Sequence, residues 1–444
     1  MPRRFDLDWV RFLAFALLVP YHVGMYYVSW DWHVKSPTPV AAIEPLMILS
    51  APWRLSLLFL VSGVATGYLS DKLPVGFLRQ RSWRLLLPLL FGMYVVVPPQ
   101  AYLELVEKVP GGYHAGYLDF LSGYMHGGDL YCMAPGDCVD GPTWNHLWFV
   151  AYLWVYTVLL WAGGRLLPQS LRDRAGHLVR RACSGFGIIG WPMLVLVLAR
   201  VFVSPHFPST HDLGGDYYNH LQYGLAFALG YLLAKADAPW MQLRRCRHWM
   251  LALALGSYAL MIAGYLRFDD VDAIPAGPIA ALRTLWGVME WSAIAAILGY
   301  ARAWNPGDSP LLRYLTAAVF PLYILHQTVI VVMAHTLKPL QVPPAIEGPF
   351  LVVATYALCL LGYEAIRRIG WLRPLFGLKR DRRPMPVPGA RSPAGSPRRR
   401  GSRPASADTR CARGAAAPRR SSRRNGSRRG ACRRCPDPTG RVPA

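Results

Sequence analysis

Ten runs of about 20 apolar residues recur along the chain, near 8–28, 50–70, 85–103, 145–164, 186–203, 219–235, 249–266, 281–301, 314–335 and 349–367. At about 1.5 Å per residue, each is long enough to cross a hydrocarbon core of about 30 Å as a helix. The pattern predicts an all-α polytopic protein of about ten transmembrane helices, with the lipid bilayer as its first partner. The polar intervals alternate in charge. Those after even-numbered runs hold Lys72, Arg79, Arg81 and Arg84, then Arg165, Arg172, Arg174, Arg180 and Arg181, then Lys235, Arg244, Arg245 and Arg247, then Arg302 and Arg313. Those after odd-numbered runs hold Lys35, Lys108, none, Arg267 and Lys338. The positive-inside rule then predicts cytoplasmic N- and C-termini and a multi-pass protein of the cell's inner (plasma) membrane. The first run is long, carries a histidine and lacks a small-residue cleavage site, so it is expected to stay as a span and not to be removed as a signal peptide.

Two ionisable residues interrupt that first run, Arg11 and His22. Eleven residues at about 100° each bring the two side chains to within roughly 20° of one helix face, about 16 Å apart along the axis. Ionisable groups inside a membrane almost always face the bundle interior or a wet cavity and mark function. The bland alternative for His22 is a hydrogen-bonded interior histidine.

Composition agrees with the membrane reading and locates the charge. Hydrophobic residues make up 53% of 444 and charged residues 16%, yet the net charge is +23. Residues 379–444 account for +17 of it, with 20 Lys and Arg against Asp381, Asp408 and Asp437. This stretch is rich in Arg, Ser, Pro, Gly and Ala and almost free of aliphatic residues, so it cannot bury enough surface to fold. The predicted organisation is therefore a membrane-embedded domain over 1–378 and a disordered basic tail over 379–444. The tail reads first as an extension without specific function. A basic arm for anionic lipid or for nucleic acid are the alternatives, and no specific nucleic-acid partner is expected. Cys432 and Cys435 lack a second ligand pair at zinc spacing and read as incidental, so no metal site is predicted. The interval 104–143 is acidic and holds Cys132 and Cys138, for which a bridge and two free thiols are both open.

Further polar positions lie in or beside the spans. Arg81 and Arg84 share a helix face at i and i+3, which suits phosphate groups and equally suits ordinary positive-inside anchoring. The second run holds Arg54 near its outer end and the small pair Ser62 and Gly63 deeper in, which close helix packing alone would explain. His146 and Trp148 open the fourth run, Glu290 lies inside the eighth, and Tyr323 and His326 share a face of the ninth. Taken singly, these read as an interfacial belt or as polar glue between helices.

In order along the chain, these residues resemble the acyltransferase 3 family of integral membrane acyltransferases. The resemblance rests on the Arg-x10-His pattern of Arg11 and His22, the stretch from Leu57 to Gly63, the Arg-x-x-Arg of Arg81 and Arg84, the His146-Leu-Trp148-Phe149 segment, and Tyr323-x-x-His326. It covers about residues 5–370. The opening Leu7-Asp8-Trp9-Val10-Arg11, the loop Trp30-Asp31-Trp32-His33 and the segment from Pro52 to Phe59 look closest to the glucans biosynthesis protein C branch.

The resemblance implies transfer of a short acyl group, acetyl or succinyl, from acyl-CoA to a hydroxyl of a glycan or other cell-envelope acceptor. Acyl-CoA would be a co-substrate, and no cofactor is implied. His22 would be the essential catalytic group. A neutral imidazole suits proton abstraction from a hydroxyl, and a thioester is already activated, so no metal is required. Arg11, Arg81 and Arg84 would hold the donor's phosphates. Arg54, Ser62, His146, Trp148, Glu290, Tyr323 and His326 would line the substrate sites. Asp8, three residues before Arg11, could pair with it. A multi-span solute or glycan transporter using buried Arg and His as a relay is the alternative, and an assembly partner a third.

Overall fold

The computed structural model describes residues 3–72, 75–134, 137–268 and 273–379. The arginine-rich tail from residue 380, with Cys432 and Cys435, lies outside the described residues. All ten apolar runs fold as helices. The first is split into α1 (Phe5–Ala16) and α2 (Leu18–Tyr27), followed by the short α3 (Glu44–Ser50) and the second span α4 (Arg54–Lys72). Next come α5 (Phe77–Phe91), α6 (Pro98–Lys108) and an outlying α7 (Tyr117–His126). The antiparallel strands β1 (Gly128–Ala134) and β2 (Asp137–Gly141) form a hairpin before α8 (Trp148–Leu166). The bent pair α9 (Gln169–Ala182) and α10 (Gly187–Leu198) precedes α11 (Tyr217–Leu233). The long helices α12 (Asp237–Tyr265), α13 (Ala276–Trp304), α14 (Pro310–Leu337) and α15 (Pro344–Arg368) follow, with α16 (Leu372–Leu375) at the end.

Among the described residues, eight helices are long and apolar enough to cross a membrane, or nine if the pair bent by 100° at residues 183–186 counts as one span. The remaining run is α11, whose 17 residues reach only about 25 Å at the helical rise. Its place in the bundle is set by glycine. A Cβ on Gly230 would stand 1.9 Å from the carbonyl oxygen of Leu60, and one on Gly63 would stand 2.1 Å from that of Phe227. The backbones of α4 and α11 therefore touch, as small residues permit where lipid offers no hydrophobic drive. The packing role read for Gly63 is met, while its neighbour Ser62 faces a cavity.

The break in the first span has a sequence cause. Proline at position 20 has no N–H and its ring crowds the carbonyl four residues earlier, that of Ala16. Tyr356 on α15 donates its hydroxyl to that freed oxygen at 2.5 Å. Beyond α2, Lys35 donates to the carbonyls of Met25 and Trp30 at 2.6 and 2.8 Å, and to that of Val28. A cation on the last carbonyls of a helix is favourable, and here it folds the loop carrying Trp32 and His33 back over the helix end. Burial lowers the Lys35 pKa from its ordinary value. In the hairpin, the register sets Cys132 opposite Cys138, and Cys132 is disulfide-bonded.

The contact between α4 and α11 makes a testable prediction. Gly63→Ala and Gly230→Ala should each destabilise the detergent-solubilised protein by about 1–3 kcal/mol, the usual cost of overpacking, read as an earlier thermal transition. Gly256→Ala, where nothing lies within 4 Å, should leave the transition unmoved.

Candidate active site

Two cavities of about 620 and 630 Å³ enter the bundle. Phe15 and Phe149 line both. Their rings meet edge to face at 5.9 Å, and the Tyr323 ring lies 5.3 Å from the first and 6.0 Å from the second. The three rings form a partition. Arg11, Phe15, Leu18 and His22 follow one another at steps of four, three and four residues, which keeps them on one helical face despite the break. Arg11 opens on one cavity, His22 on the other, and Phe15 stands between.

The cavity on the Arg11 side is basic. Arg81 and Arg84 share its wall, and Arg367, Arg368 and Arg373 from the last helices and Lys379 beyond them complete it, with no carboxylate among its lining residues. Arg11 Nη2 donates to the Thr316 carbonyl at 3.4 Å and Arg81 Nη2 to Thr66 Oγ1 at 3.3 Å, while both Nε atoms are buried without a partner. Asp8 is bonded to Arg3 at 2.7 Å and not to Arg11, because Arg3 precedes the helix beside it whereas Arg11 turns inward to α14.

The second cavity gathers His22, Arg54, His146, Trp148 and Tyr323, brought from four different spans. His326 sits directly behind His22, with Nε2 at 3.1 Å from His22 Nδ1. The His326 Nδ1 lies 2.6 Å from the Tyr323 carbonyl, which can only accept. With both rings neutral, His326 therefore donates from Nδ1 and accepts at Nε2, and His22 donates from Nδ1. The lone pair of His22 is left on Nε2, the position a base needs. The same logic orders His146, whose Nε2 donates to the Ile324 carbonyl at 3.1 Å and whose Nδ1 faces Gln100 at 3.5 Å.

Gln100, fully buried, joins this centre to an outer pair. It accepts from Gln327 at 3.1 Å and from Asn145 at 3.2 Å, and donates to Thr328 at 2.6 Å. Gln327 in turn faces His33 Nε2 at 2.9 Å, and His33 Nδ1 meets the Glu104 carboxylate at 2.5 Å. Every member has a partner, the condition under which a buried polar network rigidifies a site. The roof is the loop before α11. Asp216, fully buried, accepts from the Tyr152 hydroxyl at 2.6 Å, from Asn219 at 2.7 Å and from the backbone of His211 at 3.1 Å. His211 stacks on Trp148 at 4.2 Å, and burial lowers its pKa against the pull of Asp216.

Of the expected substrate residues, Ser62 lines the basic cavity, while His326 and Glu290 line neither of the two, His326 sitting behind His22 and Glu290 accepting from Ser56 at 2.6 Å. Sequence reasoning passed over Arg200, although it is the only charged residue inside its apolar run, and it missed Phe15, four residues after Arg11 on the predicted face. Gln100 and Gln327 carried no signal, since neutral amides in apolar runs are common.

A family model for an acyltransferase domain, that of acyltransferase 3, matches residues 4–364. The chain belongs to the acyltransferase 3 family. It is 25% identical over 190 residues to proteins named glucans biosynthesis protein C from Salmonella paratyphi B, Salmonella dublin and Salmonella enteritidis. The aligned stretch is 40% of this chain and 45% of each relative, so less than half of their length is covered. No solved structure matches the chain.

The partition predicts a sidedness of access. In proteoliposomes, a cysteine introduced as Ser62→Cys should be shielded from a charged thiol reagent applied on the His22 side. Adding Phe15→Ala and Phe149→Ala should expose it there, and equal labelling with and without these changes would mean that the rings do not divide the cavities.

Proposed function

We propose that this acyltransferase moves a short acyl group, acetyl or succinyl, from acyl-CoA bound in the basic cavity to a hydroxyl of a glycan or similar cell-envelope acceptor in the second. The observation that carries the reading is the placement of His22, with an oriented lone pair, one aromatic layer away from a cavity lined by arginines with unpaired N–H groups. Guanidinium forks suit the phosphates of coenzyme A. By the positive-inside rule the basic cavity faces the cytoplasm, where the donor is soluble, and both termini lie on that side of an inner membrane.

The chemistry follows from the tautomers. His22 Nε2 takes the proton of the acceptor hydroxyl as its oxygen attacks the thioester carbon. The tetrahedral intermediate collapses with cleavage of the C–S bond, and the imidazolium returns its proton to the departing thiolate. His326, accepting from His22 Nδ1–H, holds the ring direction. The likeness to glucans biosynthesis proteins supports a glycan acceptor.

Release of free coenzyme A from acetyl- and succinyl-CoA by the purified protein tests this. His22→Ala should lower turnover by at least the ~10²–10⁴-fold that general-base catalysis contributes, with unchanged membrane insertion. His326→Gln, which keeps an acceptor near His22, should lose less than His326→Leu. Turnover unaffected by His22→Ala would end the assignment.

A further inference from the structure

The second cavity has an unbalanced charge. Its wall carries Arg54 and Arg200, and no aspartate or glutamate is among its lining residues. Arg54 begins α4 and is 3% exposed. Its guanidinium lies 3.7 Å over the Tyr21 ring and its Nη1 donates to Ser50 at 2.9 Å, leaving Nε buried without a partner. Arg200 comes from the π-helical turn Ala199–Val203, a kind of helix irregularity that often marks a functional position. It stacks 4.4 Å over Trp286 and 5.5 Å over Tyr218, touches the Tyr218 hydroxyl at 3.4 Å, and also keeps a buried, unpaired Nε.

Among the described residues neither arginine forms an ion pair. Glu290, the acid nearest in sequence to Trp286, is turned to Ser56 and lines neither cavity. Aromatic faces attract a cation but leave its in-plane N–H donors unused. Glu290 acts on Arg200 only through space, so neither guanidinium has a direct ion-pair partner, and two such groups at membrane depth are costly unless something completes the site.

We infer that Arg54 and Arg200 form a carboxylate-binding subsite in the second cavity, filled by a carboxylate that a substrate brings. Two sources share this chemistry. One is a transferred acyl group with a free carboxylate at its far end, as in a diacid half-thioester, and the other is an acceptor glycan bearing a uronate. The inference rests on the proposed acyl transfer for its biological meaning, but binding of the anion does not depend on turnover.

The test therefore has two readouts on the full chain. In the first, thermal unfolding is followed with sodium succinate and with neutral succinamide at equal ionic strength. Succinate should stabilise the wild type and not the Arg54→Gln/Arg200→Gln double variant, whereas succinamide should do nothing. In the second, kcat/KM is compared for succinyl- and acetyl-CoA, each with a neutral glucan oligosaccharide and with its uronate-containing form. A loss of about tenfold or more in the double variant confined to succinyl-CoA assigns the carboxylate to the acyl group. The same loss confined to the uronate acceptor assigns it to the acceptor. No succinate effect together with ratios changed less than about twofold would overturn the subsite. Stabilisation through the arginines in a protein inactive with every donor would retire the acyl-transfer reading and keep the subsite.

Discussion

A charged side chain in a membrane span needs either water or a partner, and the bundle is arranged around that constraint. By insertion scales, Arg11, Arg54 and Arg200 placed in lipid would together cost on the order of 10 kcal/mol, as much as the whole stability of a typical domain. Each instead lines one of the two cavities. Arg11 and His22 open on cavities on opposite sides of one aromatic layer, and their common face brings Phe15 between them. The two cavities, the barrier between them and the position of His22 thus follow from the placement of one face of the first span.

The precision of the site comes from groups that are not themselves candidates for chemistry. A backbone carbonyl, that of Tyr323, fixes the tautomer of His326, and through it that of His22. Such a carbonyl cannot be inferred from side-chain identity, which is why the pair reads from sequence only as a histidine and a second histidine. The chain of Gln100 and Gln327 likewise links the inner histidines to His33 and Glu104 by amides that can both donate and accept. Chains of such bonds polarise one another and hold a single arrangement.

The helices were legible because hydropathy in lipid is a one-body property of each segment: every apolar run folds as a helix, and the shared face of Arg11 and His22 is seen. What length alone misjudges is the sixth run, where α11 is short and its place depends on contact between Gly230 and the backbone of α4. The site was partly legible, since a charge in an apolar run is conspicuous, and by that rule Arg200 was there to be found. Its π-helical turn, the aromatic partition and the grouping of Arg367, Arg368, Arg373 and Lys379 with Arg11 depend on which helices meet, and no local pattern encodes that. The role of Asp8 failed for the same reason. Spacing offers Arg11 as a partner three residues on, but Arg3 takes Asp8 at 2.7 Å once the chain before α1 takes its course.

The partition also bears on how such a chemistry stays safe in a membrane. Two cavities of this size, if joined, would give water and small ions a path through the bundle and would offer an activated thioester to hydrolysis. Aromatic rings suit the boundary, because they bury a large area yet need only two torsions to swing aside. One ring of that boundary, Phe15, lies on the same span and the same face as His22. On the proposed reading, the thioester reaches His22 by displacing a ring of the partition, and the arm that displaces it fills the gap it opens. The base would then meet activated acyl groups, while bulk water from the donor side stays excluded.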